Sequence, residues 1–399
     1  MNRPHRGDAA RHWTLDPDIV FLNHGSFGAT PAPVLAIQTA LRTRMEREPV
    51  LFLARQIEGL LDGARKELAA FLSCEAAGLA FVPNATAGVN AVVRSLDLDK
   101  HDELLVTDHE YNACRNALEY AAGVAGAKVV VVSIPFAGLT EDRFVESILE
   151  RVTDRTRLVL VDHVTSQTAV VNPVGRLVAE LSKRGIDTLV DGAHAPGMFP
   201  LEIEALGAAY YAGNLHKWVC APKGAAFLSV RRNRRSSVRP IAISHGANSM
   251  RTDRSSYLLE FDWTGTFDPT AWLSVPEAIR FMGSILQGGW PALMLHNRAL
   301  ALAARDLLCE KLEIDHPVPD SMIGSMAAVV LPDGKASIAP SLYGDPLQDG
   351  LFERHAIEVP IVPWPAPPHR VLRVSAQIYN TIEEMEYLGE ALTQELARE

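Results

Sequence analysis

The sequence has few cysteines and lacks a long apolar run. Its 399 residues include four cysteines, which lie far apart without a Cys-x-x-Cys pair, so neither a zinc ribbon nor a dense disulfide framework is expected. No apolar stretch approaches the roughly 18 residues that a membrane-spanning helix needs, and the first residues contain no apolar core typical of an export signal. These absences predict a cytoplasmic protein that does not interact with membranes.

Positive charge is also scarce. The chain has 38 Lys and Arg residues against 48 Asp and Glu residues, and its formal net charge is −10. This balance argues against a protein that binds nucleic acid or an anionic membrane surface. The Gly-x-Gly-x-x-Gly fingerprint and the Gly-x-x-x-x-Gly-Lys-Ser/Thr phosphate loop are both missing, so a dinucleotide or a nucleoside triphosphate is a disfavoured ligand.

From about residue 79, short β-branched apolar runs alternate with longer amphipathic stretches. This alternation is typical of a mostly parallel sheet covered by helices. Seven strands are predicted: Leu79–Val82, Glu103–Thr107, Lys128–Ile134, Leu158–Asp162, Thr188–Asp191, Tyr210–Ala212 and Ala225–Val230. Apolar residues spaced at three and four predict the helices between them: Gly88–Leu96, Ala113–Ala122, Thr140–Val152 and Arg176–Arg184.

After about residue 270 the pattern changes. Two long helices are predicted, Ser274–Gln287 and Trp290–Leu312, followed by the strands Ala327–Leu331 and Val371–Ser375. The stretch Val359–His369 carries five prolines and is predicted to be an ordered loop, since proline cannot donate within a sheet interior. We therefore expect an N-terminal segment over residues 1–20, a large α/β domain over 21–272 and a smaller C-terminal α/β domain over 273–399.

Polar residues follow five of the predicted strands. In open α/β sheets, ligands bind at the carboxyl ends of the strands, so these positions are candidates for a functional site. They are Asn84-Ala85-Thr86, Asp108-His109, Thr165-Ser166, Asp191 with His194, and His216-Lys217.

The run from Asn84 to Gly88 leads from a strand into a helix. Free backbone N–H groups and the helix dipole at such a start attract an anion, and phosphate is the natural occupant. The alternative is that Asn84 or Thr86 only caps the helix.

Asp191 ends an apolar strand, where a carboxylate is costly to bury unless a cation meets it. A pyridinium nitrogen is one such cation. Lys217 follows in an apolar setting, which lowers the pKa of a lysine and makes its amine a nucleophile toward carbonyls, as a Schiff base requires. The alternative for an isolated lysine at a strand end is a solvated surface residue.

His109 has three possible roles: a metal ligand, a core histidine or a ring stacked on a flat cofactor. No histidine pair has metal-binding spacing, so a metal site is not expected. Stacking is favoured for a single histidine after a strand. Four arginines between residues 231 and 235 form a basic cluster, which is interpreted as a solvated turn.

Together these residues resemble the pyridoxal-phosphate-dependent class V aminotransferase family, in the branch that includes isopenicillin N epimerase, hercynylcysteine sulfoxide lyase and cysteine desulfurases. The epimerase is most similar over the N-terminal stretch and the Asn-Leu-His-Lys-Trp run. The matching stretches are Phe21 to Gly28, Asn84-Ala85-Thr86, Asp191 to Ala195, Gly213 to Trp218, Thr264-Gly265-Thr266 and Arg373-Val374-Ser375.

This resemblance implies the fold-type I architecture of pyridoxal phosphate enzymes, with the large domain binding the cofactor. It implies that Lys217 holds pyridoxal 5'-phosphate as a Schiff base and that Asp191 keeps the ring nitrogen protonated. For the cofactor, the resemblance also implies that His109 stacks on the ring, that His194 approaches the ring hydroxyl and that Ala85, Thr86 and His216 hold the phosphate. It implies a homodimer in which Thr266 contacts the phosphate of the neighbouring subunit. The amino-acid substrate would be bound by Arg373, Asn23 and His24.

Several reactions share such a site, because the bond cleaved at Cα depends on how the substrate is oriented. Epimerisation is the first choice, C–S lyase chemistry on a cysteine derivative the second and transamination the third. A cysteine desulfurase needs a mobile cysteine shortly before Arg373, and the stretch from Glu310 to Arg373 contains none. A binding module without activity is disfavoured because Lys217 and Asp191 are both present.

Overall fold

A computed structural model of the chain describes residues 3–334 and 345–399, so residues 335–344 of the predicted smaller domain and residues 1–2 lie outside the described residues. The strands are β1 (Val20–Phe21), β2 (Leu79–Val82), β3 (Glu103–Thr107), β4 (Lys128–Val132), β5 (Thr156–Asp162), β6 (Asp187–Asp191), β7 (Tyr210–Asn214), β8 (Ala226–Val230), β9 (Met326–Leu331), β10 (Ile357–Glu358), β11 (Ile361–Pro363) and β12 (Arg370–Ser375). The α-helices are α1 (His24–Phe27), α2 (Ala32–Arg47), α3 (Ile57–Leu72), α4 (Ala85–Val93), α5 (Asn112–Ala125), α6 (Glu141–Leu149), α7 (Val174–Lys183), α8 (Ile203–Leu206), α9 (Ser256–Phe261), α10 (Thr270–Leu273), α11 (Val275–Ser284), α12 (Gly289–Leu312), α13 (Pro346–His355) and α14 (Ile382–Leu396).

The largest sheet has seven strands in the order β2-β8-β7-β6-β5-β3-β4. Only β8 runs opposite to the other strands of this sheet. Helices α4 to α7 connect β2, β3, β4, β5 and β6 in turn, as parallel neighbours require. The predicted mostly parallel, seven-stranded sheet is confirmed.

Both faces of this sheet are covered by apolar side chains. On one face α4 and α5 contribute Val89 and Leu118, and on the other face α6 and α7 contribute Phe144 and Leu177, all of them buried. Because the strands are buried on both sides, they are continuous apolar runs, and polar side chains are concentrated where the strands end. The pairing of β5 with β6 places Asp162 directly opposite Asp191.

The C-terminal part is smaller and is built around a three-stranded antiparallel sheet in the order β11-β12-β9. Helices α12 and α14 pack against each other, and α12 also packs on β9. This part confirms the predicted smaller α/β unit. Among the helices that the structure describes, none combines the length and the apolar character needed to cross a membrane.

The predicted ordered loop over Val359–His369 is wrong in part. Residues Ile361–Pro363 form β11, which pairs with β12 through Ile361 opposite Leu372 and Pro363 opposite Arg370. Proline fits there because β11 lies at the edge of its sheet, where a strand can lack a donor on its outer side.

The N-terminal chain runs along the C-terminal part. Strand β1 pairs in parallel with β10, and the backbone N–H of Ser375 donates to the Leu22 carbonyl over 2.9 Å. The Trp13 ring meets the Tyr379 ring edge-on at 5.1 Å. These contacts bring the α1 region beside the end of β12, where Arg373 lies.

Candidate active site

A cavity of about 390 Å³ opens at the carboxyl ends of the parallel strands. Six of the predicted site residues line it: Ala85, Thr86, Asp191, His194, His216 and Lys217. The cavity is also lined by side chains that were not predicted to belong to the site, among them Ser26, Tyr111, Asp162 and Asn214. The geometry therefore gathers residues from the ends of β2, β3, β5, β6 and β7, as the strand-end argument predicts.

Lys217 lies just after β7, and its Nζ is 2.8 Å from Nε2 of His194. Burial, together with the positive charge of Arg373, lowers the pKa of Lys217 to about 7. The amine of Lys217 is therefore available in its neutral, nucleophilic form near neutral pH. The backbone carbonyl of Lys217 accepts a hydrogen bond from Nε2 of His24 over 3.0 Å, which holds this turn of the chain in place.

His194 is buried, and burial together with the charge of Lys217 lowers its pKa well below the usual value. The ring is therefore neutral. Its Nδ1 has no hydrogen-bond partner among the described residues. A buried ring nitrogen without a partner is costly, and a polar group of a bound ligand would satisfy it.

Asp191 is buried at the end of β6 and forms no ion pair within the described ranges. Its Oδ1 accepts the backbone N–H of Ala193 over 2.9 Å, and its Oδ2 accepts the thiol of Cys114 over 3.0 Å. Burial raises the pKa of Asp191. A cationic ring nitrogen beside this carboxylate would supply the missing positive charge.

Two further acids lie behind Asp191. Asp162 ends β5 and Glu110 follows β3, and both side chains are buried. Burial raises the pKa of each, and the negative charge of Asp191 raises both further. Sequence reasoning missed this acidic group, although Asp162 ends an apolar strand in the same manner as Asp191 and could have been found by that signal.

The start of α4 has the form expected of an anion site. Asn84 is the N-cap, and its Oδ1 accepts the backbone N–H of Ala87 over 2.8 Å, so the capping role considered for Asn84 is confirmed. The N–H of Ala85 donates to Oδ1 of Asn214 over 2.8 Å, and that hydrogen bond ties the helix start to the end of β7. The Thr86 amide lies in the first turn, where backbone N–H groups have no intrahelical acceptor.

His216 lies between Lys217 and the anion site. Its Nδ1 donates to the carbonyl of Ala225 over 3.2 Å. Burial lowers the pKa of His216 to about 4, and the charge of Lys217 acts in the same direction. The ring is thus neutral, and its Nε2 side is left for the cavity that His216 lines.

Arg373 is a buried cation without a carboxylate partner among the described residues. Its guanidinium donates to the Ser166 carbonyl over 2.5 Å, to Ser26 Oγ over 2.7 Å and to Asn23 Oδ1 over 3.1 Å, while its Nε has no partner in the described chain. Burial lowers its pKa to about 10. Neutral partners hold the guanidinium in place but leave its charge uncompensated, which suits the binding of a carboxylate.

Five predicted site residues are not part of the cavity wall, namely His109, His24, Asn23, Thr266 and Arg373. Arg373 nevertheless contacts Ser26 and Ser166, which line the cavity. Nδ1 and Nε2 of His109 are hydrogen-bonded at 2.8 Å to the Thr168 hydroxyl and the Ile134 carbonyl, and its ring packs on Trp364. His109 is not part of the cavity wall, and the stacking of its ring on a cofactor stays a prediction. Tyr111, two residues further on, lines the cavity instead.

His24, predicted to bind the substrate, is fully buried against Tyr379 and the Lys217 backbone. It is hydrogen-bonded to the Lys217 carbonyl and is not part of the cavity wall, so its substrate-binding role stays a prediction. Asn23 accepts a hydrogen bond from Arg373, and its direct contact with a substrate stays a prediction. Thr266 is exposed and lines a separate cavity of about 500 Å³ on the surface.

The cavity offers a suitable group for each part of pyridoxal phosphate. It offers a neutral lysine, a buried carboxylate that lacks a cation, a helix start for a phosphate and a histidine nitrogen in need of a partner. These groups line one cavity, so one flat cofactor could contact all of them.

Comparison with known proteins gives the same assignment. The family model "Aminotransferase class-V" matches residues 49–388. The chain is 36% identical to isopenicillin N epimerase of Amycolatopsis lactamdurans and 34% identical to that of Streptomyces clavuligerus, in each case over 96% of this chain and 97% of the relative. It is 28% identical to a probable chloroplastic L-cysteine desulfhydrase of Arabidopsis thaliana, over 94% of this chain and 83% of the relative.

Solved structures share the fold. A cysteine desulfurase from Thermococcus onnurineus matches with a TM-score of 0.80 at 19% identity, over 100% of this chain and 99% of that chain. A C-DES mutant with glycine covalently linked to the pyridoxal phosphate cofactor matches with a TM-score of 0.79 at 20% identity, over 96% and 98% of the two chains. The chain therefore belongs to the class V aminotransferase family and is a pyridoxal-phosphate-dependent enzyme.

Proposed function

We propose that the protein epimerises an amino-acid substrate at Cα. The two isopenicillin N epimerases reported above support this proposal, since their names describe the same type of reaction. The observation that carries this proposal is the neutral amine of Lys217 in one site with the uncompensated guanidinium of Arg373. One group removes a proton and the other holds a carboxylate, and both are needed for chemistry at Cα of an amino acid.

Each residue of the site has a separate role in this proposal. Arg373 binds the α-carboxylate of the substrate, and Asn23 and Ser26 keep the guanidinium oriented. Lys217 would hold the cofactor through its amine, and the same amine would accept the Cα proton of the substrate. Bound pyridoxal phosphate supplies the electron sink for the pair of electrons left at Cα.

The cofactor contacts follow from the cavity wall. Asp191 would lie against the ring nitrogen, His194 would offer its Nδ1 or Nε2 to the ring hydroxyl, and Thr86 with His216 would hold the phosphate at the start of α4. Ala85 would contribute through its backbone, although its N–H already donates to Asn214.

A C–S lyase reaction is the second candidate. It is favoured by the similarity to a probable L-cysteine desulfhydrase and by 23% identity to hercynylcysteine sulfoxide lyase of Schizosaccharomyces pombe, which covers 81% of this chain and 83% of that relative. The first step is the same, since removal of the Cα proton by Lys217 precedes loss of a β-substituent. The two reactions therefore differ in what happens after proton removal.

Turnover in deuterated water distinguishes these reactions, and we expect deuterium at Cα of a substrate together with conversion to its opposite stereoisomer. The measurement is a panel of L- and D-amino acids that includes isopenicillin N, followed by mass spectrometry and chiral chromatography. Pyruvate and ammonia from a cysteine derivative would establish the lyase instead. Release of a keto acid in an amount equal to the cofactor would establish transamination, and alanine with persulfide on one of the four cysteines would establish a desulfurase.

We propose further that the protein is a homodimer in which Thr266 reaches the phosphate site of the partner subunit. Thr266 does not line the cavity of its own chain. The surface cavity that Thr266 lines includes apolar side chains, among them Val50, which is 64% exposed, and Leu53. An apolar surface of this kind is unfavourable in water and is typical of an interface between subunits.

Mixing two variants tests this arrangement. When Lys217→Ala subunits exchange with Thr266→Ala subunits, half of the dimers formed at random are mixed, and each has one intact site, so about a quarter of the wild-type activity should return. Activity is measured before and after exchange, and the state of assembly by sedimentation. Lys217→Ala mixed with the double variant is the control and should stay inactive; a monomer, or no recovery in the test mixture, contradicts the proposal.

A further inference from the structure

Epimerisation requires a second proton-transfer group. The Cα–H bond breaks on one face and a new bond forms on the other, so one group must take a proton and another must deliver one from the opposite side. Lys217 serves one face. The second group must be a protic side chain that lines the same cavity from the other side.

We infer that Tyr111 is the acid that delivers a proton to the face of Cα opposite Lys217. This inference rests on the proposed epimerase function and names a further catalytic residue for it. It is carried by the position of Tyr111 in the sheet, by its exposure and by its neighbour Arg373.

The sheet order places the two residues on opposite sides of the site. Lys217 follows β7 and Tyr111 follows β3, and the strands between them are β6 and β5. The carboxylates of Asp191 and Asp162 end those two middle strands. A flat group lying over Asp191 therefore has Lys217 on the β7 side and Tyr111 on the β3 side.

The backbone at Tyr111 is held firmly. Tyr111 is the N-cap of α5, and its carbonyl accepts the N–H groups of Cys114 and Arg115 over 2.9 and 3.0 Å. His109 and Glu110, which precede it, are buried, whereas Tyr111 is 45% exposed and lines the cavity. The start of the helix thus presents the phenol ring to the site.

The charge of Arg373 favours this role. The guanidinium of Arg373 and the phenol of Tyr111 interact electrostatically. When a phenol gives up its proton, the phenolate that remains is stabilised by a nearby cation. Arg373 can therefore hold the substrate carboxylate and also stabilise the tyrosine after proton transfer.

Several other protic groups of the cavity are less suitable. His194 hydrogen-bonds to Lys217 and His216 adjoins it in sequence, so both belong to the Lys217 side. The acids Asp162 and Asp191 are buried at the ends of the two middle strands. The hydroxyl of Ser166 is an aliphatic alcohol, which is a much weaker acid than a phenol.

The protons balance over one turnover. The Lys217 amine takes the Cα proton and becomes an ammonium, while the bonding electrons stay with the substrate. The Tyr111 hydroxyl then gives its proton to the opposite face of Cα and becomes a phenolate. The net result is the transfer of one proton from Tyr111 to Lys217. Proton exchange with solvent through the open cavity returns both groups to their starting states. In the reverse direction the same two groups exchange roles.

Tyr111→Phe tests the inference because it keeps the ring and removes the hydroxyl. With the stereoisomer pair that the wild-type holoenzyme interconverts in the deuterium screen, inversion should fall by at least ~100-fold, the scale of a lost general acid. Deuterium exchange with retention should continue within a few-fold for the isomer that Lys217 deprotonates. Tyr120→Phe, at an exposed tyrosine on the same helix, should match the wild type in both measurements.

A second readout does not depend on turnover. Nitration by tetranitromethane, mapped by mass spectrometry, should modify Tyr111 in the apoprotein and much less in the cofactor-bound protein, while Tyr120 reacts equally in both. Inversion that persists in Tyr111→Phe, or nitration of Tyr111 that the cofactor does not slow, overturns the inference. A wild-type enzyme that exchanges Cα hydrogen without inversion overturns the proposed function itself, and with it the inference.

Discussion

Replacement of Lys217 by alanine is expected to lower turnover by at least about 10³-fold, because one group that both holds the cofactor and transfers the Cα proton is lost. The purified wild-type protein should be yellow from a Schiff base, and borohydride followed by peptide mapping should locate the reduced cofactor on Lys217. The variant should lack this linkage. Absorbance spectra and steady-state kinetics measure both effects.

Two lysines serve as comparisons for this prediction. Lys183 is exposed on α7 and pairs with Glu180, so Lys183→Ala should behave as the wild type. Lys223 also lines the cavity, and its Nζ donates to the Gly28 carbonyl over 2.9 Å. Recovery of the reduced cofactor on Lys223, or a Schiff base in Lys217→Ala, would show that the assignment is wrong.

The same lysine predicts how cofactor capture depends on pH. The pKa of Lys217 in the folded chain is about 7, whereas a solvated lysine titrates near 10.4. Only the neutral amine attacks the carbonyl, so the rate of capture by the apoprotein should rise as pH increases through about 7 and level off above it. Stopped-flow absorbance measures this rate; a rise that begins only above about pH 9 would mean that Lys217 is solvated.

Replacement of Arg373 by lysine is expected to raise the KM for the amino-acid substrate by about 10- to 100-fold, the scale of lost hydrogen bonds to a charged group. A guanidinium makes two parallel hydrogen bonds to a carboxylate, and an ammonium cannot reproduce them. The ammonium would also leave Asn23, Ser26 and the Ser166 carbonyl with fewer donors than Arg373 provides. Kinetics with the substrate from the screen measure the effect.

Cofactor binding separates a loss of substrate affinity from a general loss of structure. The affinity of Arg373→Lys for pyridoxal phosphate should stay within a few-fold of wild type, because Asp191, Thr86 and His216 are unchanged. Arg232→Lys is the matched control, since this exposed side chain pairs with Glu75 on the surface. An unchanged KM in Arg373→Lys would mean that another group binds the carboxylate.

The basic cluster at residues 231–235 bears on that alternative. Its arginines pair with Asp187 and Glu75, and none of them lines the cavity of the site. All four arginines form ion pairs with these surface acids, and this agrees with the interpretation of the cluster as a turn without a catalytic function.

The elements of the large sheet were predictable because each has a local cause. Strands buried on both faces must be continuous apolar runs, and the helices between them must show apolar residues at three and four. The helix α4 begins three residues before its predicted start at Gly88, since the cap at Asn84 and not the apolar spacing sets the first residue. The edge strand β11 was not predicted, because it is defined by its pairing with β12, and β12 follows only after the proline-rich turn.

The residues of the site were predictable where they directly follow a strand, because the carboxyl ends of parallel strands lie at the same edge of the sheet. Lys217, Asp191, His194 and Thr86 share the cavity because parallel strands end at one edge. His109 and Tyr111 both follow β3, and nothing in their spacing shows which ring turns inward. Their surroundings differ in the folded chain: His109 is hydrogen-bonded to the Ile134 carbonyl and the Thr168 hydroxyl, whereas Tyr111 lines the cavity.

The sequence by itself determined the chemistry of the site, because a lysine in apolar surroundings and a carboxylate at the end of a buried strand imply the same reactivity wherever the chain places them. Only the tertiary structure decided which groups line the same cavity and on which side of the cavity each of them lies. The contacts that orient Arg373 and separate Tyr111 from Lys217 join residues hundreds of positions apart or strands that are not neighbours in the chain. Such contacts leave no local pattern, since their free energy comes from packing between distant segments.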